Sequence, residues 1–236
     1  MKIALCIAGQ PRGFRTAYEY VKRNLLDIYD VDVFIHTWKN DHLVEIGQMY
    51  NPVSMRVEEP LTDDFDSLYT NTPNPQKWPP RFTVASYYSI YRSCELKTIE
   101  EVQSKKIYDW VIRSRSDYAL NVKIPFANLE NSKLYIPNCR MVPTRDFGND
   151  QFAFSSQENM LKYMSTFDCV DEYYESGVVF IGEDLMQANL RKHGLIGENL
   201  VYANMNNPFP PGPHNGTWHS LIRDDYASWT ETNTKT

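Results

Sequence analysis

Residues 3–38 read as strand, helix, strand, and little else in the chain limits the fold as tightly. Ile3 to Ala8 is apolar on both faces, as a parallel strand covered by helices on each side requires. The run stops at Gly9-Gln10-Pro11-Arg12-Gly13, where two glycines permit a tight loop and close backbone approach. Ala17, Val21, Leu25 and Ile28 then recur at helical spacing and predict a helix from about Thr16 to Tyr29. Val31 to Trp38 is the second strand. A right-handed crossover makes the two strands parallel and brings their carboxyl ends to one edge. The loop of Gly9, Gln10 and Arg12 therefore shares a rim with His36, Thr37 and Trp38. From that rim Arg12 or Arg15 could reach a phosphate, and Trp38 could stack on a base while Thr37 bonds it. Equally, Trp38 could cap the core and His36 be a satisfied structural histidine. The loop is neither a Gly-x-Gly-x-x-Gly fingerprint nor a Walker P-loop.

A second stretch repeats the strand-to-rim transition. Tyr108 to Ile112 is β-branched and aromatic, then changes abruptly to Arg113-Ser114-Arg115-Ser116-Asp117. Ligands of open α/β sheets collect at such carboxyl ends. Asp117 could hold a hard divalent cation there, with Arg113 and Arg115 facing phosphate oxygens; the alternative is a salt-bridged turn.

The remaining elements follow in order. Met55-Arg56-Val57 suggests a short third strand, and residues 58–81 a long acidic and proline-rich connection, functional or disordered. Thr83 is the expected cap of a helix running to about Ser104, with Val84, Tyr87, Tyr91 and Cys94 on one face. Packing explains that tyrosine face, though Tyr87 or Tyr88 could also sit beside a ligand. Leu134 to Pro137 is a strand. Gly148-Asn149-Asp150-Gln151 is the turn feeding a strand through Phe152 and Phe154. Ser155 and Glu158 have capping-box spacing before a helix with Met160, Leu161 and Met164. Gly182-Glu183-Asp184 heads a helix that Gly194 ends, and acids in that first turn suit the helix dipole without any function. The stretch from Asn206 to His219 is irregular, and residues 231–236 form a tail or the start of a linker.

Composition narrows the class. The 236 residues fit one soluble domain, here 1–230, and a net charge of −6 argues against a nucleic-acid surface. The four cysteines are far apart, which signals neither a zinc ribbon nor a disulfide scaffold. Cys6 is expected to be a buried thiol. The apolar start is too short to span a membrane, so a reduced, cytoplasmic protein without a transmembrane segment is expected.

Taken in order, Gly-Gln-Pro-Arg-Gly after the first strand, Arg-Ser-Arg-Ser-Asp after a central strand, Asn-Asp-Gln-Phe, and Gly-Glu-Asp at a late helix start resemble the GT-A glycosyltransferases. The resemblance covers roughly Met1 to Tyr202 and is to the small sugar-transferase domains of large algal DNA viruses and of bacterial surface-polysaccharide clusters. It implies a Rossmann-like α/β/α sandwich with a mostly parallel sheet, a nucleotide-sugar across the carboxyl edge, and a glycan acceptor. It also implies Mn²⁺ or Mg²⁺ bridging the diphosphate to an Asp-x-Asp motif. Here Arg115-Ser116-Asp117 stands in that motif, so the first carboxylate is missing and Asp117 is the expected metal contact. His219 or His214 matches a C-terminal metal-binding histidine by position. Nucleotide-sugar contacts are carried onto Gly9, Gln10, Arg12, Thr37, Trp38, Arg113, Arg115 and Asp117. Asp150 is the first candidate for the base, with Glu183 or Asp184 second, and Gln151 is a candidate for bonding sugar hydroxyls. UDP is the expected donor nucleotide, a viral source would place the protein in the host cytoplasm, and further domains could follow in a longer protein. Two other classes compete: a sugar-nucleotidyltransferase, which would carry a longer glycine-rich first loop, and a noncatalytic module that binds donor or glycan without turnover.

Overall fold

Strand β1 (Lys2–Ala8) divides its side chains by size. Ile3, Leu5 and Ile7 enter one hydrophobic cluster, and Ala4, Cys6 and Ala8 enter the other. Both faces of the strand are therefore buried, as its unbroken apolar run requires. The computed structural model describes residues 1–73, 75–76, 78–137, 148–203 and 219–221, with backbone alone at 203 and 219–221.

Helix α1 (Phe14–Val21) returns the chain to β2 (Asp30–Trp38), and β2 pairs with β1 in parallel. Next come α2 (Leu43–Tyr50), β3 (Ser54–Glu58), the short α3 (Phe65–Leu68), and α4 (Pro80–Ser104). Then follow β4 (Trp110–Ser114), β5 (Tyr118–Leu120), β6 (Leu134–Pro137) and β7 (Ala153–Ser155). Helices α5 (Gln157–Met164), α6 (Val170–Glu175) and α7 (Gly182–Lys192) precede β8 (Leu200–Ala203) and β9 (His219–Leu221). Seven strands form the main sheet in the order β3-β2-β1-β4-β7-β6-β8. All run parallel except β7, which opposes β4 and β6. Strands β5 and β9 make a separate antiparallel pair.

Helices cover both faces, giving the α/β/α sandwich. Phe14, Val21, Ile46 and Tyr50 pack on the large side chains of β1, while Val84, Tyr87 and Ile90 of α4 pack with Ala4, Cys6 and Ala8. Small residues on that face of β1 let the 25-residue α4 lie close to the sheet centre. Cys6 is buried, and burial pushes its thiol pKa up. No helix among the described residues is long and apolar enough to cross a membrane.

Several local expectations need correction. The first helix leaves α geometry at Lys22 for a π turn over Lys22–Leu26, stopping short of Tyr29. The wider turn keeps Leu25 in the core while Asn24 Nδ2 donates to Leu120 O at 2.6 Å. Thr83 is not a cap: Pro79 is, with Pro80 at the first helical position, where its missing N–H costs nothing. Ser156, not Ser155, caps α5 by accepting from Asn159 N. Helix α2 is an element for which the sequence reading had no expectation. The described part of 58–81 contains α3 and packs down, with Tyr69 stacked on Phe180 and Thr72 Oγ1 donating to Phe180 O at 3.0 Å. Gly194 ends α7 as expected, at φ +68, with Leu195 N bonding Leu190 O and Gly194 N bonding Arg191 O.

Candidate functional site

The strand order reverses between β1 and β4, since β2 and β3 lie to one side of β1 and β4 to the other. Crevices open at the carboxyl ends of strands at such a switch point. Two loops meet there, 9–13 after β1 and 115–117 after β4. Ser116 Oγ donates to Gln10 O at 2.7 Å and ties the two loops together. Gly9 has φ +107 and nothing stands within 4 Å of where a Cβ would lie, so its glycine requirement is conformational rather than steric. Gly13 caps α1 at φ +53.

Asp117 is held from the side by Arg115. Arg115 Nε donates to Oδ1 at 2.7 Å and Nη2 to Oδ2 at 2.6 Å, a two-bond fork. The Asp117 side chain is 4% exposed and that of Arg115 22%, so the arginine is the more accessible member of the pair. Arg113, two residues earlier, is wholly buried, and neither Nε nor Nη1 has a hydrogen-bond partner. Burial pulls its pKa down, while Tyr163, Asp150 and Asp117 act the other way. It lies beneath the crevice and within the field of both carboxylates.

A polar relay supports the first loop from below. Gly9 N donates to Ser89 Oγ of α4 at 2.7 Å, Ser89 Oγ contacts His36 Nδ1 at 2.7 Å, and His36 Nε2 contacts Glu58 Oε2 at 3.0 Å. Hydrogen bonds from His36, Tyr88 and Arg92 overcome partial burial and hold the Glu58 pKa down at about 2, so its carboxylate only accepts. His36 must then donate from Nε2. Its own pKa is lowered, burial being the leading cause, so the ring is neutral and Nδ1 accepts from the Ser89 hydroxyl. His36 is thus a satisfied structural histidine. Trp38 is buried beside it with Tyr88 stacked on its ring, and Thr37 is fully buried. Arg15 is engaged with Glu45.

On the α4 side of the sheet, the other carboxylates gather at the start of α7. The turn at 148–151 is built by Asn149, whose Oδ1 accepts from Gln151 N at 2.8 Å and Phe152 N at 3.1 Å. Gly148 is pressed against α7: a Cβ there would lie 2.6 Å from Gln187 N. This places Asp150 Oδ2 3.0 Å from where a Cβ of Gly182 would stand, and Glu183 follows Gly182 in the first turn of α7. Burial, then the Asp150 charge, raises the Glu183 pKa. Tyr87, the buried α4 tyrosine, donates its hydroxyl to Gly182 O. Asp184 belongs to the same turn.

The expected residues thus divide. Gly9, Gln10, Arg12, Arg115 and Asp117 share the carboxyl edge of β1 and β4; Asp150, Glu183 and Asp184 share the α7 terminus. Thr37, Trp38 and Arg113 lie in the core. His219 is placed by backbone alone, opposite Leu120, and His214 and residues 231–236 lie outside the described residues. Ser89, Glu58 and Ser116 are the positioning residues that sequence reasoning missed. A signal for Ser89 was its place, with Ser93, among Val84, Tyr87, Ile90 and Cys94 on the buried face of α4.

Both oxygens of Asp117 are engaged by Arg115, which stands where the motif has its first carboxylate, and among the described residues no three His, Cys, Asp or Glu side chains converge. Compared with protein-family models and with curated proteins, the chain matches none.

Proposed function

We propose that the chain is a glycosyltransferase that moves a hexose or deoxyhexose from a nucleotide-sugar, a UDP-sugar first among them, to a glycan hydroxyl. One observation carries the reading: the Ser116–Gln10 bond joins the two rim loops at the switch point, so Arg12, Arg115 and the α1 terminus converge where a diphosphate would lie. A second group, Asp150 with Glu183, gathers at the α7 terminus, and Arg113 feels the charge of both Asp150 and Asp117. Transfer with inversion needs such a division. Positive charge must neutralise the departing diphosphate, and a separate carboxylate must take the acceptor proton. Asp150 is assigned as that base, with Glu183 beside it.

The test is release of UDP from UDP-sugars in the presence of glycan acceptors. Asp150→Asn is expected to lower turnover about a hundredfold or more, while Asp184→Asn keeps most of it. The reverse result would move the role to Asp184. Binding of donor without any turnover would favour the noncatalytic module.

A further inference from the structure

We infer that the Arg115 guanidinium, clamped by Asp117, is the cation that meets the diphosphate of the bound nucleotide, in the place where the resemblance expects a metal ion. The inference rests on the reading of this edge as a nucleotide-sugar site and deepens it by naming the group that holds the phosphates.

Three observations support it. Both Asp117 oxygens already accept from one guanidinium, from Nε at 2.7 Å and Nη2 at 2.6 Å, so the carboxylate charge is matched before any divalent ion arrives. A divalent ion at Asp117 would compete with that part-buried pair for the same carboxylate. Second, exposure runs in the order a ligand would need: the Arg115 side chain is 22% exposed and the Asp117 side chain 4% exposed. A diphosphate entering the crevice meets Arg115 first, and Asp117 acts behind it as a positioning residue that fixes the fork. Third, residues 9–13 and 114–117 contain Arg12 and Arg115 against the single carboxylate of Asp117, so the two loops are net cationic before any ion is added. Ser116, at the centre of the motif, spends its hydroxyl on Gln10 O and brings no charge. A planar guanidinium suits phosphate oxygens, and it is always charged.

Titration calorimetry of UDP, GDP and dTDP, in EDTA and again in Mn²⁺, decides the matter on the wild-type protein, Arg115→Ala, Arg115→Lys and Asp117→Asn. Expected is a diphosphate that binds wild type in EDTA with an affinity that Mn²⁺ changes by less than about threefold. Arg115→Ala should weaken it on the order of tenfold to a hundredfold, the loss of a charge-assisted bond. Arg115→Lys and Asp117→Asn should fall between, because charge survives in one and the guanidinium in the other. The Lys variant carries the test if Arg115→Ala, which strands Asp117, does not fold. Binding that requires Mn²⁺ and Asp117 but survives Arg115→Lys would overturn the inference and leave the transferase reading standing. Binding of none of the three, with or without Mn²⁺, would overturn both.

Discussion

One hydroxyl, Ser89 Oγ, is the junction between the longest helix and the first loop, and its loss illustrates how the site depends on atoms that never touch a ligand. Ser89→Ala would leave Gly9 N and the fully buried His36 Nδ1 without their partner. Each such orphan costs about 1–3 kcal/mol, so the variant should melt earlier. Because Gly9 belongs to the loop proposed to receive the donor, the Michaelis constant for donor should rise more than turnover falls. Equal losses in both would mean that Ser89 is structural only. The same relay gives the protein an acid-side weakness. His36 is less basic folded than the ordinary 6.5, so its contribution is complete above that pH and declines below it as the unfolded chain takes up the proton. Glu58, held at about 2, contributes fully above 4.5 and loses that contribution as pH falls toward its folded value. Melting temperature should therefore fall below about pH 6.5 and again below about 4.5; His36→Gln should flatten the first step and, because the imidazole bond to Glu58 is lost with it, weaken the second. His36 itself shows the limit of reading residues from sequence: ligand contact and structural role were both open until Ser89, distant in the chain, appeared beside it.

Among the elements, legibility followed how much of the signal was local. Strands β1, β2 and β4 were readable because burial on both faces leaves an unbroken apolar run, and α7 because Gly194 stands where a left-handed residue must end it. Helix α2 was not, because only Ile46 and Tyr50 of its eight residues are buried and Gly47 interrupts it. The start of α4 was missed because Pro79-Pro80 reads as a breaker although proline is at ease in a first helical turn. The meeting of Asp150 with Gly182 had no local signal at all; it depends on Gly148 lying against α7. Two glycine replacements separate these cases. Gly148→Ala would force a Cβ to 2.6 Å from Gln187 N and should destabilise by about 1–3 kcal/mol while reducing turnover through Asp150. Gly47→Ala, in α2 with its nearest neighbour Met55 Sδ at 3.7 Å, should stabilise by about 0.5–1 kcal/mol and leave activity alone. Thermal melts of the two, with UDP-sugar turnover alongside, check both statements.

At the scale of the molecule, the sandwich was legible as a class, and the position of its crevice was not. The turning point of the strand order sits between β1 and β4, and only the register of β4 beside β1 reveals it. The net charge of −6 conceals the cationic loops in the same way, since a sum over the surface says nothing about two neighbouring arginines. The small β5–β9 pair also matters beyond its size. Strand β5 begins at Tyr118, immediately after Asp117, yet the strand that covers it, His219–Leu221, is about a hundred residues later. On the ribosome, at roughly 5–20 residues per second, β5 waits several seconds with an open edge before its partner is made. The neighbourhood of Asp117 is thus among the last parts of the described fold to be completed, and the nascent chain is most prone to sticking to others during that interval.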